Sequence, residues 1–146
     1  MVKKVFLYIF IYIILVGCES VLEPTNEVDY YLDISAPDLQ LDSNGYYHIE
    51  FLDDYIQTFS TLTAETGSPQ TYQKVGWMSD TEVNIQGYWT GCVNGNSYTD
   101  EIGEAHTVLS TWEILIGDTI TVLAGYHDEF NNHYLDSLKV VVDNNI

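Results

Sequence analysis

Four histidines, two cysteines and 22 acidic residues are the side chains of this 146-residue chain with chemistry to offer. His48, His106, His127 and His133 are scattered. No His-Glu-x-x-His and no Cys-x-x-Cys occurs, so no zinc signature is present. His127 and His133 flank a polar loop with Asp128, Glu129, Asn131 and Asn132, an oxygen-rich cluster that suits a hard cation such as calcium. The loop lacks the alternating acidic spacing of an EF-hand, and a solvated loop is the simpler account. Asp42-Ser43-Asn44-Gly45 has half the look of a calcium loop and is explained as a turn. Glycoside hydrolysis needs two carboxylates about 5–10 Å apart in a cleft, and nothing in the spacing pairs two here. Neither a Gly-x-Ser-x-Gly elbow nor a glycine-rich phosphate loop occurs. The expectation is a chain that is not an enzyme, with no catalytic residue, no metal ligand and no cofactor.

The cysteines carry more. Cys18 follows Met1-Val2-Lys3-Lys4 and an apolar run from Val5 to Val16, the layout of a secretory signal. That run is a dozen residues, whereas a membrane-spanning helix needs about 20. The motif Leu15-Val16-Gly17-Cys18 resembles the signal of bacterial lipoproteins. The resemblance implies a diacylglyceryl group on the Cys18 thiol, cleavage just before it and acylation of the new amino group. Lipid chains contribute about 0.8 kcal/mol per buried methylene, so two or three chains make a lasting anchor. An uncleaved signal anchor, or a secreted protein with an incidental Cys18, stays open as an alternative. A lipidated Cys18 leaves Cys92 without an intrachain partner, and Cys92 reads as a small buried or half-buried residue. Glu19, Glu23 and Glu27 behind the anchor resemble, in a spread-out form, the surface-export signal of some Gram-negative lipoproteins.

Charge narrows the partners. The chain has four lysines, no arginine and a formal charge of −18. Removing residues 1–17 leaves Lys74 and Lys139 against all 22 acidic residues. Such a chain cannot make the cationic contacts on which nucleic-acid affinity rests. It suits cations, cationic partners or a salty medium, and a solvated acidic coat accounts for the charge as well.

The elements that must position these residues read as strands. Residues 18–28 are polar, with a proline, and form a tether. From Tyr30 the pattern has period two, rich in aromatic, β-branched and threonine residues and broken by Gly, Asn, Asp and Pro, with no helical stripe. Strands are expected over 30–35, 46–52, 57–64, 72–79, 83–89, 104–112, 119–126 and 135–143, with a loop at Asn94-Gly95-Asn96-Ser97. Tyr47, Ile49 and Phe51 share a face, as do Val75 with Trp77 and Leu138 with Val140 and Val142; Leu62 and Ala64 face inward. Seven or eight short strands over residues 29–146 describe one all-β antiparallel sandwich.

Three segments in order resemble bacterial immunoglobulin-like domains of the invasin and intimin type. These are Ser60 to Glu65 with Gly67-Ser68-Pro69 and Lys74-Val75-Gly76-Trp77-Met78-Ser79-Asp80; Thr99-Asp100-Glu101-Ile102-Gly103-Glu104-Ala105 with Thr107-Val108-Leu109; and Gly117 to Ala124. The resemblance covers most of residues 46–126 and implies an immunoglobulin-like fold with a role in contact at the cell surface. The expected protein is a lipid-anchored envelope or surface adhesion module, bound to the membrane through Cys18 and to a protein or glycan partner. Two competing readings use the same sandwich: a carbohydrate-binding or calcium-dependent binding domain, and an accessory subunit of an envelope complex. Twelve tyrosines and three tryptophans suit strand faces or stacking on sugars. An exposed row such as Tyr46 with Tyr88 and Trp89 would favour the glycan.

Overall fold

The computed structural model describes residues 30–51, 57–67 and 72–144. Their strands, in chain order, are β1 (Asp33–Ser35), β2 (Gln40–Leu41), β3 (Tyr46–Phe51), β4 (Gln57–Glu65), β5 (Lys74–Ser79), β6 (Glu82–Ile85), β7 (Tyr88–Gly91), β8 (Asn94–Tyr98), β9 (Glu104–Trp112), β10 (Thr119–His127) and β11 (His133–Asn144). A single turn of 3-10 helix, Glu113–Leu115, joins β9 to β10. The expected signal segment, Cys18, Tyr55 and the turn expected at Ser68-Pro69 lie outside the described residues.

One sheet has the order β1-β4-β9 and the other β2-β3-β11-β10-β5-β8, with β6 and β7 forming a separate ribbon. Every ladder is antiparallel except that of β3 beside β11, which is parallel. The fold is a nearly all-β sandwich. Alternation drives it: along Thr119–His127 every second residue, Ile120, Val122, Ala124 and Tyr126, is buried, so one face of β10 faces the core. Leu62, Ala64, Ala105 and Leu109 meet Val75, Trp77, Ile120, Val122, Val140 and Val142 between the sheets. Fully burying each aliphatic side chain contributes about 1.5–3 kcal/mol. Trp77 lies in this core with its indole N–H donating to Ser97 Oγ at 2.8 Å, which satisfies the polar atom a buried tryptophan carries.

Three features depart from the sequence expectation. The stretch expected as one strand over 83–89 is a hairpin, because Gln86 and Gly87 both take positive φ (52° and 91°), the requirement of a tight primed turn. Asn94-Gly95-Asn96-Ser97, expected as a loop, is most of an edge strand on β5, Asn94–Tyr98; its polar residues satisfy an exposed sheet edge. The parallel β3–β11 pair was not anticipated, since alternation specifies faces and not neighbours.

Candidate interaction face

The acidic loops decide where cation chemistry is possible. Asp42, Asp100 and Asp128 each open a five-residue turn and do the same thing in it. Asp42 Oδ1 accepts from the backbone N–H of Asn44 (2.9 Å) and Tyr46 (2.8 Å). Asp100 Oδ1 accepts from Ile102 (3.0 Å) and Glu104 (3.1 Å), and Asp128 Oδ1 from Phe130 (2.9 Å) and Asn132 (2.8 Å). The fourth residue of each turn has positive φ: Gly45, Gly103 and Asn131. Glycine and asparagine tolerate that conformation.

Backbone donors, Tyr46 first, hold the Asp42 carboxyl below its ordinary value. Glu104 and Ile102 do the same for Asp100. Burial alone would raise Asp128, but hydrogen bonds from Asn132, Phe130 and Tyr134 outweigh it and bring it below the ordinary value. The second oxygen of Asp128 is also engaged, accepting from Asn132 Nδ2 (2.8 Å) and Tyr134 Oη (3.2 Å). Both its oxygens are turned into the loop and occupied. Asp100, Glu104 and His106 place one ligand atom each within 4.8 Å of one another on the surface, while Asp100 Oδ1 is already held by its turn.

Among the described residues, two of the four histidines have hydrogen-bond or ion-pair partners. His48 lies between Asp143, with Nδ1 2.7 Å from Oδ2, and Asp42, with Nε2 3.5 Å from Oδ2; the Asp143 hydrogen bond raises its pKa above the ordinary value. His106 Nδ1 is 3.1 Å from Thr63 Oγ1, and Nε2 is 3.7 Å from Glu104 Oε2. His127 and His133 stand opposite each other across β10 and β11 with their rings stacked. Cys92 is a buried free thiol, and burial, reinforced by the charge of Asp80, pushes its pKa up to about 11. It is a small core residue, as expected, and not a nucleophile.

The surface with the shape of a contact site is the outer face of the six-stranded sheet. The ladder registers place Lys74, Gly76 and Met78 of β5 beside Asn96 and Tyr98 of β8. They also place Thr121, Leu123 and Gly125 of β10 beside Lys139, Ser137 and Leu135 of β11. Gly76 stands opposite Gly125 and Met78 opposite Leu123. Two facing glycines lower the floor. The result is a trough of about 390 Å³ bounded by Met78, Asn96, Leu123, His133 and Leu135. Met78 and Leu135 are 57% and 65% exposed, so the walls are apolar and open to solvent.

Charge singles out the same surface. Lys74 and Lys139 are the lysines left outside the amino-terminal segment, and both lie on this face. Lys139 sits over the Tyr46 ring, 5.4 Å from its centroid. The carboxylates at strand positions of this face, Glu50 and Asp143, are at its β3 end, and Asp143 is bound to His48. The aromatic row does not form. Tyr46 belongs to this sheet, whereas Tyr88 and Trp89 are on the β6–β7 ribbon, where neighbours in a strand point to opposite sides. The trough was missed in the sequence; its signal was a glycine at an outward position in each of two strongly alternating strands.

No family model matches the chain, and no curated protein matches it. Among solved structures the chain is similar to the crystal structure of Spo0M, a sporulation control protein from Bacillus subtilis, at 11% identity and a TM-score of 0.32. The match covers 77% of this chain and 49% of that one, so the chain spans about half the length of that protein. A likeness this low carries no functional argument.

Proposed function

We propose that this chain is a non-enzymatic interaction module of the bacterial envelope, anchored by lipid on Cys18 and making contact through the outer face of its six-stranded sheet. The observation that supports it most is the charge pattern. On a chain of net charge −18, strands β11, β10 and β5 and the edge strand β8 present an apolar trough flanked by Lys74 and Lys139. A partner with an acidic surface meets repulsion elsewhere and little here, which gives the contact its orientation. An open apolar patch of this kind marks interaction surfaces.

The glycan reading retains one observation, the exposure of Tyr88 and Trp89 at 80% and 69%. Their opposite directions deny it a flat platform. The test is a photo-crosslinking residue at Leu123, in the trough, and at Ile102, exposed in the Asp100 turn, each in cells making the full chain. An adduct from position 123, absent from position 102 and weakened by Lys139→Glu, is expected. Equal labelling at both positions, or none from 123, rejects the face.

A further inference from the structure

We propose that His127 and His133 form a surface site for a borderline divalent transition metal such as Zn²⁺, Ni²⁺ or Cu²⁺. The two residues are the closing pair of the β10–β11 hairpin. Their rings lie 4.4 Å apart between centroids and 6° from parallel. Among the described residues neither ring has a hydrogen-bond or ion-pair partner, in contrast to His48 and His106. Both are exposed. Two imidazoles with uncommitted nitrogens are thus held side by side at the surface.

Imidazole is the ligand that selects zinc, nickel and copper over calcium and magnesium. Metal–nitrogen bonds of about 2.0–2.1 Å in a tetrahedral shell put two ligand nitrogens about 3.3 Å apart. Imidazole lone pairs lie in the ring plane, so the stacked rings must turn about their side-chain torsions to aim two nitrogens at one ion, a rearrangement of exposed side chains alone. The hairpin does not have to be organised by the metal. Asp128 fixes the intervening loop through four hydrogen bonds, and β10 and β11 are paired without interruption from Thr119 to His127. The ordering cost of the chelate is therefore met before the ion arrives. The acidic chain concentrates cations around itself.

The same loop explains why the cation is not a hard one. The oxygens of Asp128 that would serve calcium face inward and are occupied, which takes that carboxylate out of the donor set. His133 Nε2 would be 3.3 Å from a Cβ placed on Gly125. The site therefore borders the trough, and a bound ion offers its remaining positions to water or to a carboxylate beside it.

The experiment is calorimetric titration of the full chain with ZnCl₂ and NiCl₂, in wild type and in His127→Ala, His133→Ala and His106→Ala variants. The last removes the imidazole of the Asp100, Glu104 and His106 group. One ion per chain is expected in wild type and in His106→Ala. Each of the other two variants should lose about 100-fold in affinity, since a second tethered ligand is worth about 10²–10⁴. All substitutions are at exposed positions, and unchanged far-ultraviolet circular dichroism will show that the fold is kept. Loss in His106→Ala with His127→Ala and His133→Ala unaffected would overturn the proposal, and so would absence of binding to wild type at millimolar metal.

Discussion

At the scale of single residues, the titratable groups are used mainly to fasten the chain to itself, and this sets how stability depends on pH. Asp42, Asp100 and Asp128 all have carboxyls below the ordinary value of 3.8. A depressed acid stabilises the fold above its unfolded pKa, and that contribution is lost as pH falls through the folded value. His48 runs the other way. Held chiefly by Asp143, its pKa is raised above 6.5, so its contribution is complete below 6.5 and is lost as pH climbs through the folded value. These four groups together favour the window between about pH 4 and 6.5. Thermal melts of wild type should therefore show Tm falling by about 2–4 °C between pH 6 and 8, the scale of a partly exposed ion pair in a domain this size, and His48→Gln should flatten that slope. A His48→Gln variant with the wild-type slope removes His48 as its source. Asp128→Ala is expected to lower Tm by about 5 °C at pH 7, because it strips four donors of one acceptor group. Asp128→Asn should recover only part of this, since the amide keeps one acceptor oxygen.

At the scale of elements, the seam between β10 and β11 carries both the trough and the histidine pair, and Gly125 is its test position. A Cβ there would lie 2.8 Å from Leu135 Cδ2 and 3.4 Å from the backbone oxygen of Tyr134. The first contact is with the end of a flexible side chain, which can swing. Gly125→Ala should fold with Tm within about 5 °C of wild type while displacing Leu135 and narrowing the trough, so crosslinking from position 123 should fall. A folded variant with undiminished crosslinking would separate the contact from the trough. Much of this seam was legible in the sequence. The period-two pattern marked β5, β10 and β11 and their buried faces, including Val75 with Trp77 and Leu138 with Val140 and Val142. Pairing was not legible: alternation cannot say that Gly76 and Gly125, 49 positions apart, come opposite each other, or that β3 lies parallel to β11. Nor does composition reveal β8, whose Asn-Gly-Asn-Ser-Tyr resembles a loop until β5 supplies its ladder. The loop from His127 to His133 was visible as a cluster of donors. Composition alone reads that cluster as a solvated loop or a calcium site, although Asp42-Ser43-Asn44-Gly45, Asp100-Glu101-Ile102-Gly103 and Asp128-Glu129-Phe130-Asn131 share the spacing of an aspartate that bonds its own turn.

At the scale of the whole molecule, charge and anchor oppose each other, and that opposition makes the anchor testable. A body with two lysines against 22 acidic residues is repelled by anionic lipid, so electrostatic adhesion cannot hold it at a membrane. Among the described residues no helix is long and apolar enough to cross one. Retention at the envelope would then fall to the lipid on Cys18, whose chains act through buried methylenes and are indifferent to salt. Wild-type chain should stay with the membrane fraction through a high-salt wash and enter the detergent phase on partitioning. Its intact mass should correspond to a chain starting at Cys18 plus acyl groups. Cys18→Ala should lose the acyl mass and the detergent partitioning together, with the sandwich intact, because the described strands that form the core run from Asp33 to Asn144. Membrane retention that salt abolishes would instead show an electrostatic hold and reject the lipid as its source. An unlipidated wild-type mass would refute the anchor. In that case a disulfide between Cys18 and Cys92 would still be disfavoured, because Cys92 is 1% exposed and its thiol is held protonated by burial. The contact face would then belong to a secreted domain, and the crosslinking experiment would have to be read in the medium rather than at the cell.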